Sequence, residues 1–278
     1  MTTQSDRCRV FHELHASGCF VIPNPWDVGS ARALVSLGFK ALATTSSGFA
    51  WSIGRPDHGV SRDEMLAHCR AMAAGVDVPV SADFEGGFAI EPETVAENVK
   101  AAINTGLAGL SIEDSTGDAA APLFERALAI ERIRAVRRAI DASGTPVLLT
   151  GRSEGFIAGR PDLDETIARL IAYAEAGADC LHAPGLQRLE DIAAVVKAVA
   201  PKPVNVLVWS GFATVRQLAD LGVRRISVGG ALARAAWTGF LRAAHEIADQ
   251  GTFSAVGEAL SGPEMNRRFS SPTLNPEP

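Results

Sequence analysis

The chain of 278 residues lacks the features that mark several classes of protein. Its four cysteines, Cys8, Cys19, Cys69 and Cys180, include no C-x-x-C pair, so they indicate neither a zinc site nor a disulfide framework. Lysine and arginine form no cluster and the formal net charge is −6, which argues against a nucleic-acid-binding surface. No apolar run is long enough to cross a bilayer, and the charged first twenty residues do not resemble a signal peptide. We therefore expect a cytoplasmic protein with reduced thiols that binds neither nucleic acid nor membranes.

Short runs rich in valine, isoleucine and leucine alternate with longer amphipathic stretches along the chain. This alternation predicts parallel strands that are each followed by a helix. The predicted strands are Cys19–Pro23, Ala41–Thr45, Val78–Asp83, Gly109–Glu113, Pro146–Gly151, Asp179–Ala183, Pro203–Val208 and Arg225–Val228. The predicted helices are Trp26–Leu37, Arg62–Ala74, Thr94–Thr105, Ala127–Ala142, Leu163–Ala176, Leu189–Val199, Thr214–Leu221 and Leu232–Ile247.

Eight such units without a break in composition indicate an α/β fold, a single (β/α)8 TIM-type barrel. Glycines follow several predicted helices, as a left-handed C-terminal cap requires; they are Gly38, Gly106, Gly177 and Gly222. No G-x-G-x-x-G sequence follows the first strand, which disfavours an open dinucleotide-binding sheet. Residues 1–260 are predicted to form the catalytic barrel. Residues 261–278, with three prolines among the last eight, are predicted to be a C-terminal tail, either an arm or disordered.

Charged residues follow neighbouring predicted strands at the edge where barrel enzymes carry their active sites. Asp83 and Glu85 end the third strand, Glu113 ends the fourth, and Arg152 ends the fifth. Carboxylate oxygens suit Mg²⁺ or Mn²⁺, and no set of histidine and cysteine residues lies nearby that would favour zinc. Arg152 can then hold a substrate carboxylate beside the metal. A 2-oxo or 2-hydroxy acid chelated there would form a stabilised enolate when an adjacent bond breaks.

Each of these residues also has a purely structural interpretation. An acidic residue at a strand end can cap the next helix or pair with arginine. His182, at the end of the sixth strand, is either a ligand contact or a hydrogen-bonded core histidine. The Ser46-Ser47-Gly48 sequence is either a simple turn or a loop whose N–H groups bind an anion. Trp51 and Trp209 are interpreted as packing residues.

Several short stretches together resemble the isocitrate lyase/phosphoenolpyruvate mutase superfamily, over about Val10 to Phe253. Each stretch alone is weak evidence for the resemblance, but the order and spacing of all of them together are specific to this superfamily. The resemblance implies a (β/α)8 enzyme that binds Mg²⁺, makes or breaks C–C or P–C bonds through an enolate-like intermediate, and forms homodimers or homotetramers, often with a swapped C-terminal helix. The stretches are Asn24–Asp27, Gly38–Ala41, Ser47–Gly48, Gly54–Asp57, Ser111–Asp114, Ala174–Asp179 and Arg225–Gly230.

The resemblance also implies a metal site. Asp57 matches an aspartate that contacts the metal through water, and Glu113 matches the metal-site glutamate. Asp83 matches the second aspartate of a D-x-D motif whose first position is Ser81 here. Glu85, two residues further along, is the candidate to supply the missing charge.

The same resemblance implies a set of substrate-binding residues. Ser46, Ser47 and Gly48 are expected to bind the substrate carboxylate or oxo group. Arg152 matches the family's substrate arginine, and Asn205 falls near a substrate-binding asparagine of the lyase branch. With a small carboxylate as the substrate, the expected catalytic residues are Arg152, Glu113 and His182.

The loop after the fourth strand departs from the family pattern. It runs from Ser115 to Pro122 and lacks both the catalytic cysteine of the lyases and the lysine and asparagine of the phosphonate branch. We therefore expect neither isocitrate or methylisocitrate lyase activity nor a standard mutase. The leading hypothesis is a Mg²⁺-dependent, lyase-like enzyme acting on a small 2-oxo or 2-hydroxy acid, with His182, Glu154 or water as the proton donor.

Two further hypotheses remain at this point. One is P–C bond chemistry of the phosphonomutase or phosphonopyruvate hydrolase type, because Ser227–Gly230 resembles a barrel phosphate site. Glycine there is also expected from close helix–strand packing. The other is a non-catalytic dicarboxylate-binding protein that has kept the pocket and lost the loop acid.

Overall fold

The computed structural model describes residues 2–270 of the chain. It begins with helix α1 (Gln4–Ala16), which sequence analysis did not predict. Thr3 and Asp6 form a reciprocal capping box at its start, because each side chain accepts a hydrogen bond from the other residue's backbone N–H. Phe11 of this helix is fully buried and packs against Gly109. A Cβ at Gly109 would come within 2.5 Å of the phenyl ring, so this strand position has room for glycine alone.

Eight parallel strands form the sheet, and each overlaps its predicted run. Neighbouring strands pair in sequence from β2 to β8, and β8 pairs with β1. The remaining seam, between β1 and β2, is bridged by a hydrogen bond from the Ala43 N–H to the Pro23 carbonyl at 3.1 Å. The predicted TIM-type barrel is therefore confirmed. The strands are β1 (Phe20–Ile22), β2 (Leu42–Ala43), β3 (Val80–Asp83), β4 (Gly109–Glu113), β5 (Leu148–Arg152), β6 (Cys180–His182), β7 (Val204–Leu207) and β8 (Arg225–Ser227).

Helices follow each strand, and all eight predicted helices are present. The expected left-handed glycines are confirmed, with φ of 87° at Gly38, 94° at Gly106, 107° at Gly177 and 88° at Gly222. The helices after α1 are α2 (Val28–Ser36), α3 (Ser46–Ser52), α4 (Arg62–Gly75), α5 (Pro92–Ile103), α6 (Arg126–Ser143), α7 (Leu163–Glu175), α8 (Leu189–Val199), α9 (Val215–Asp220), α10 (Ala231–Gln250), α11 (Ser254–Gly257) and α12 (Gly262–Ser270).

The structure specifies the local conformation of two segments for which the sequence left alternatives open. The Ser46-Ser47-Gly48 sequence is not a simple turn but the first turn of α3, because the Thr45 hydroxyl caps the helix by accepting from the Gly48 N–H. In the segment predicted to be a tail, Gly262–Ser270 is helical and packs against α2. The three final prolines lie outside the described residues.

The C-terminal helices present a broad apolar surface. Ala233 is the single buried residue of the twenty in α10. Within residues 2–270, no helix has both the length and the apolar character that a membrane crossing requires. The exposed apolar side chains of this surface are Leu232, Trp237, Phe240, Leu241, Ile247, Phe253, Val256, Leu260, Met265 and Phe269.

Candidate active site

A cavity of about 480 Å³ opens at the carboxyl ends of the strands, and all eight strands contribute to its lining. This is the end of the barrel at which the predicted site residues were expected to meet. The cavity brings together eight of the ten predicted site residues. They are Ser46, Ser47, Asp57, Asp83, Glu113, Arg152, His182 and Asn205. Gly48 and Glu85 do not line it.

Arg152 lies at the centre of a cluster of carboxylates in this cavity. Its Nη1 donates to Asp83 Oδ1 at 3.0 Å and lies 3.3 Å from Glu113 Oε2. Its Nε donates to Glu154. The register of the sheet explains part of this geometry, because Glu113 of β4 and Arg152 of β5 are directly paired.

Burial strongly shifts the pKa values of the charged groups in this cluster. It raises the pKa of Glu113 to about 8, against the opposing effect of Arg152 and with a further contribution from Glu154 and Asp83. Burial also raises the pKa of Glu154. Burial alone would lower the pKa of Arg152, but the surrounding carboxylates raise it well above its usual range. The cavity therefore holds more carboxylates than one guanidinium can neutralise, and such perturbed groups in a cleft are typical of functional sites.

The start of α3 is tied to the acidic cluster. Both the backbone N–H and the hydroxyl of Ser46 donate to Asp83 Oδ2, at 3.0 and 2.8 Å. The Ser47 hydroxyl lies 3.1 Å from that of Thr45 at the cavity wall. Gly48 faces the protein interior, where a Cβ would come within 2.6 Å of the Thr45 methyl group. Ser46 thus orients Asp83, and both Ser46 and Ser47 line the cavity, whereas the Cβ position of Gly48 packs inward.

Asp57, His58 and Glu85 form the rim beside this cluster. His58 Nδ1 lies 3.4 Å from Glu85 Oε2, and this hydrogen bond raises the pKa of His58 to about 9. Both residues have left-handed backbones, with φ of 60° at His58 and 49° at Glu85, a conformation that non-glycine residues adopt rarely and often at functional sites. This backbone turns Glu85 into an adjoining cavity of about 270 Å³, which shares His58 and Glu113 with the main one. Sequence analysis missed His58, although it directly follows Asp57.

The donor set around the two cavities fits a divalent cation. The predicted ligands Asp57, Asp83, Glu85 and Glu113 all lie at the main cavity or the adjoining one. Glu85 Oε2 pairs with His58, but Glu85 Oε1 is buried and has no hydrogen-bond partner among the described residues, so this oxygen is available to a cation. Within residues 2–270, no three acidic, histidine or cysteine side chains lie close enough together to hold a metal ion by themselves. These donors therefore suit a hard cation that is held partly through water molecules, as Mg²⁺ usually is.

A polar network occupies the barrel interior below Arg152. Asn205 donates from Nδ2 to Ser227 Oγ at 2.9 Å and lies 3.0 Å from His182 Nδ1. Burial, with the nearby charges of Arg152 and Arg225, keeps the pKa of His182 well below its usual range. His182 is therefore a neutral imidazole in the cavity wall.

Asn24 joins three loops above the barrel, a role that sequence analysis did not assign. Its Oδ1 accepts from the N–H groups of Val228 and Gly229, both at 2.9 Å, and its Nδ2 donates to the Thr44 carbonyl at 3.0 Å. The resemblance included Asn24, but nothing in its sequence neighbours indicates partners two hundred positions away. Two N–H groups of the segment that resembles a barrel phosphate site are thereby already engaged.

Asp114 anchors the loop that carries Glu154. Its Oδ1 accepts from the Glu154 N–H at 2.7 Å, and its Oδ2 accepts from Tyr173 Oη at 2.6 Å and from Arg169 at 3.2 Å. Asp114 is almost fully buried. Tyr173 and Arg169 thus hold Asp114 in place, and Asp114 in turn positions Glu154 beside Arg152.

The loop that departs from the family pattern forms a closed turn beside the cavity. Ser115 and Leu123 form an antiparallel bridge, and the Thr116 N–H donates to the Pro122 carbonyl at 3.0 Å. The Thr116 hydroxyl donates to the Ala121 carbonyl at 2.6 Å. These contacts order the loop without a cysteine or a lysine.

The family model described as phosphoenolpyruvate phosphomutase matches residues 11–248. The chain belongs to this family. The resemblance to the isocitrate lyase/phosphoenolpyruvate mutase superfamily is thus confirmed. A crystal structure from Burkholderia cenocepacia J2315, described provisionally as that of a lyase/mutase, is 49% identical and superposes with a TM-score of 0.95 over 98% of this chain and 99% of that one.

Two curated relatives illustrate the range of the family. The uncharacterized protein Rv1998c of Mycobacterium tuberculosis H37Rv is 36% identical over 222 residues, 79% of this chain and 81% of the relative. The 2-methylisocitrate lyase of Escherichia coli K12 is 32% identical over 161 residues, 55% of this chain and 53% of the relative. Members of the superfamily cleave C–C bonds in small carboxylates and generally depend on a divalent metal.

Proposed function

We propose that this chain is a lyase that depends on Mg²⁺ or Mn²⁺ and cleaves or forms a C–C bond in a small 2-oxo or 2-hydroxy carboxylic acid. The observation that carries the proposal is the placement of Arg152 among Asp83, Glu113 and Glu154 at the carboxyl ends of the strands. The family supports it, since its named relatives include lyases that act on small carboxylates.

Asp57, Asp83, Glu85 and Glu113 would hold the cation. When bound, it would supply a positive charge that stabilises the oxygen of an enolate as the adjacent bond breaks. Mg²⁺ suits this donor set better than zinc does, because all four donors are carboxylates.

The chain's own residues then bind and orient the substrate. Arg152 pairs with a substrate carboxylate, and its buried position strengthens that charge-assisted contact. Ser47 and Asn205 also line the cavity and would contribute hydrogen bonds. Among the proton donors considered from the sequence, the low pKa of His182 disfavours an acid role, which leaves Glu154 or water.

Calorimetric titration with oxalate, a mimic of the enolate of pyruvate, tests the binding half of this proposal. Oxalate should bind in the presence of Mg²⁺ and not in its absence, and Asp83→Ala should abolish that binding. Asp63→Ala is the matched control, because Asp63 pairs with Arg62 on the surface. Absence of binding with and without Mg²⁺ would contradict the proposed site.

Turnover tests the catalytic half. Oxaloacetate and 2,3-dimethylmalate are suitable first substrates, with their 2-oxo acid and oxalate products measured by chromatography. Glu113→Gln should abolish any activity found, whereas Glu97→Gln, an exposed change of the same kind, should not. Metal-dependent oxalate binding without turnover of any small acid would favour the non-catalytic dicarboxylate-binding alternative.

P–C bond chemistry on a phosphonate is the second candidate. Arg234, near the start of α10, lines the cavity and forms no salt bridge within the described part of the chain, so it offers a second positive charge to a phosphonate. Asn24 already occupies the N–H groups of Val228 and Gly229, which weakens the phosphate-site interpretation. Release of inorganic phosphate from phosphonopyruvate, lost in an Arg234→Ala variant, would promote this candidate.

The exposed apolar surface of the C-terminal helices supports a homodimer or homotetramer. A soluble monomer rarely exposes so many large apolar side chains on neighbouring helices, and a second copy of the chain is the expected partner. Sedimentation should show an oligomer, and Phe240→Asp should shift it toward the monomer, since this ring is 59% exposed in the isolated chain. A monomer at all concentrations would contradict this expectation.

A further inference from the structure

Arg132 of α6 is a buried arginine that donates to the backbone of the loop between β3 and α5, which carries Glu85. Its Nη1 donates to the carbonyls of Ala89 at 2.6 Å and Ile90 at 2.7 Å, and its Nη2 donates to the carbonyl of Gly86. Only 1% of Arg132 is exposed, and among residues 2–270 no carboxylate forms a salt bridge with it. Burial lowers its pKa to about 10, which leaves it positively charged at pH 7. A charged group therefore supplies three hydrogen bonds to this loop.

The backbone of the same loop adopts conformations that are unfavourable for its residues. Glu85 and Phe88 both have left-handed backbones, with φ of 49° and 58°. Such a conformation is costly for a non-glycine residue, and it persists only where the surrounding structure holds it. Asn98 contributes to this support, since its Nδ2 donates to the Gly87 carbonyl at 2.9 Å. The three bonds from Arg132 provide most of the rest, so their loss should let the loop relax.

Arg132 also contacts the loop on the other side of the adjoining cavity. Its guanidinium lies over the Phe124 ring, 4.1 Å from the ring centroid, which is a cation–π contact. Phe124 ends the loop that departs from the family pattern, and its N–H donates to the Asp114 carbonyl at 2.9 Å. Arg132 and Phe124 both line the adjoining cavity, as Glu85 does. One side chain thus connects the two loops that enclose this cavity.

The position of Glu85 depends on its loop more than on the sheet. Asp83 and Glu113 are the last residues of β3 and β4, so strand pairing fixes where they lie. Glu85 lies beyond β3, and its Oε1 is buried without a hydrogen-bond partner among the described residues. No three acidic, histidine or cysteine side chains of residues 2–270 lie close enough to hold a metal ion by themselves. A small shift of one carboxylate should therefore change the affinity of the site for a cation.

We propose that Arg132 is a positioning residue for the cation site, which clamps the loop so that Glu85 reaches a bound divalent cation from the adjoining cavity. This role rests on the metal-dependent function proposed above. Arg132 acts through the carbonyls of the loop and needs no contact with the cation or the substrate. A planar guanidinium suits this task, because it directs several N–H groups at fixed acceptors, which a lysine ammonium group does not.

Binding of Mn²⁺ to the substrate-free protein, followed by electron paramagnetic resonance, tests this role without turnover. Arg132→Met keeps a long side chain but no N–H group, so it should weaken Mn²⁺ binding about 10- to 100-fold. Arg132→Lys keeps the charge and part of the donors, so its affinity should lie between those of Arg132→Met and the wild type. Arg134→Met, at an exposed arginine of the same helix, should bind Mn²⁺ as the wild type does. Wild-type affinity in a folded Arg132→Met protein would overturn the proposal.

A double variant separates positioning of Glu85 from a general loss of structure. Glu85→Ala removes the positioned carboxylate and should itself weaken Mn²⁺ binding. If Arg132 acts through Glu85, the protein that carries both Arg132→Met and Glu85→Ala should bind Mn²⁺ no more weakly than Glu85→Ala alone. Losses of affinity that multiply in the double variant would refute this path. If Arg132→Met does not fold, the same comparison made with Arg132→Lys decides the question.

Hydrogen exchange measured by mass spectrometry reports on the loop directly. Without metal, the peptide spanning residues 84–91 should exchange faster in Arg132→Lys than in the wild type, and Arg134→Met should match the wild type. Equal exchange in all three proteins would refute the clamp. Failure of the lyase proposal would show as a wild type that binds no Mn²⁺, which would also overturn the cation role of Arg132. Failure of the Arg132 proposal alone would show as equally tight Mn²⁺ binding by the wild type and Arg132→Met.

Discussion

His15 should make the stability of this protein depend on pH in a way that a single substitution can isolate. The ring packs edge-on against Phe11 and Phe20, its Nδ1–H donates to the Phe11 carbonyl at 2.7 Å, and Arg225 faces its Nε2. Burial, together with the charge of Arg225, lowers its pKa from 6.5 to about 3. A proton on this ring would have to sit beside a cation, with almost no access to water.

The magnitude follows from the linkage between protonation and folding. Because the pKa is lower in the folded state, the unfolded chain binds more protons below pH 6.5, and stability is lost as the pH falls from 6.5 toward 3. At pH 5, which is 1.5 units below 6.5, each unit costs about 1.4 kcal/mol. His15 should therefore destabilise the protein by about 2 kcal/mol at pH 5 relative to pH 7.

Urea unfolding at pH 7, 6 and 5 measures this effect. His15→Gln cannot take up the proton, so the free energy of unfolding of this variant should fall by about 2 kcal/mol less than that of the wild type over this range. His68, whose pKa burial lowers to about 4, contributes equally to both proteins and cancels in the comparison. His245→Gln, a change of an exposed histidine, should keep the wild-type slope. Equal slopes in the wild type and His15→Gln would refute the reasoning.

Three further substitutions test packing and buried polar contacts by denaturant unfolding. Phe11→Ala should lower the free energy of unfolding by about 3–5 kcal/mol because a fully buried ring is lost, whereas Leu37→Ala, at a 65% exposed residue, should lower it by less than about 0.5 kcal/mol. Similar losses in the two variants would contradict the buried position of Phe11. Asp114→Ala should cost about 3–5 kcal/mol, since it strands a buried arginine and a tyrosine hydroxyl, while Asp118→Ala in the exposed loop should be nearly neutral. Gly48→Ala should cost about 1–3 kcal/mol, because its methyl group meets three side chains within 3.3 Å, and a neutral result would show that α3 can shift freely.

Much of the candidate site could be predicted because parallel strands in a barrel all end at the same rim. Asp83, Glu113 and Arg152 follow three consecutive strands, so their meeting required only the correct strand boundaries. The strand pattern could not show where Glu85 lies, because a left-handed backbone after β3 turns its side chain into the adjoining cavity. Nor could it show that the Cβ position of Gly48 packs inward once Thr45 begins a helix.

The sequence by itself determined the barrel and the rim at which its chemistry collects, since hydrophobic periodicity and glycine caps are local signals that each element carries alone. Only the tertiary structure decided the orientation of the polar groups in the interior. Asn24 contacts Val228 across 204 positions, and Arg225 contacts His15 across 210. A hydrogen bond depends on which donor faces which acceptor, and chain neighbours carry no information about partners so distant.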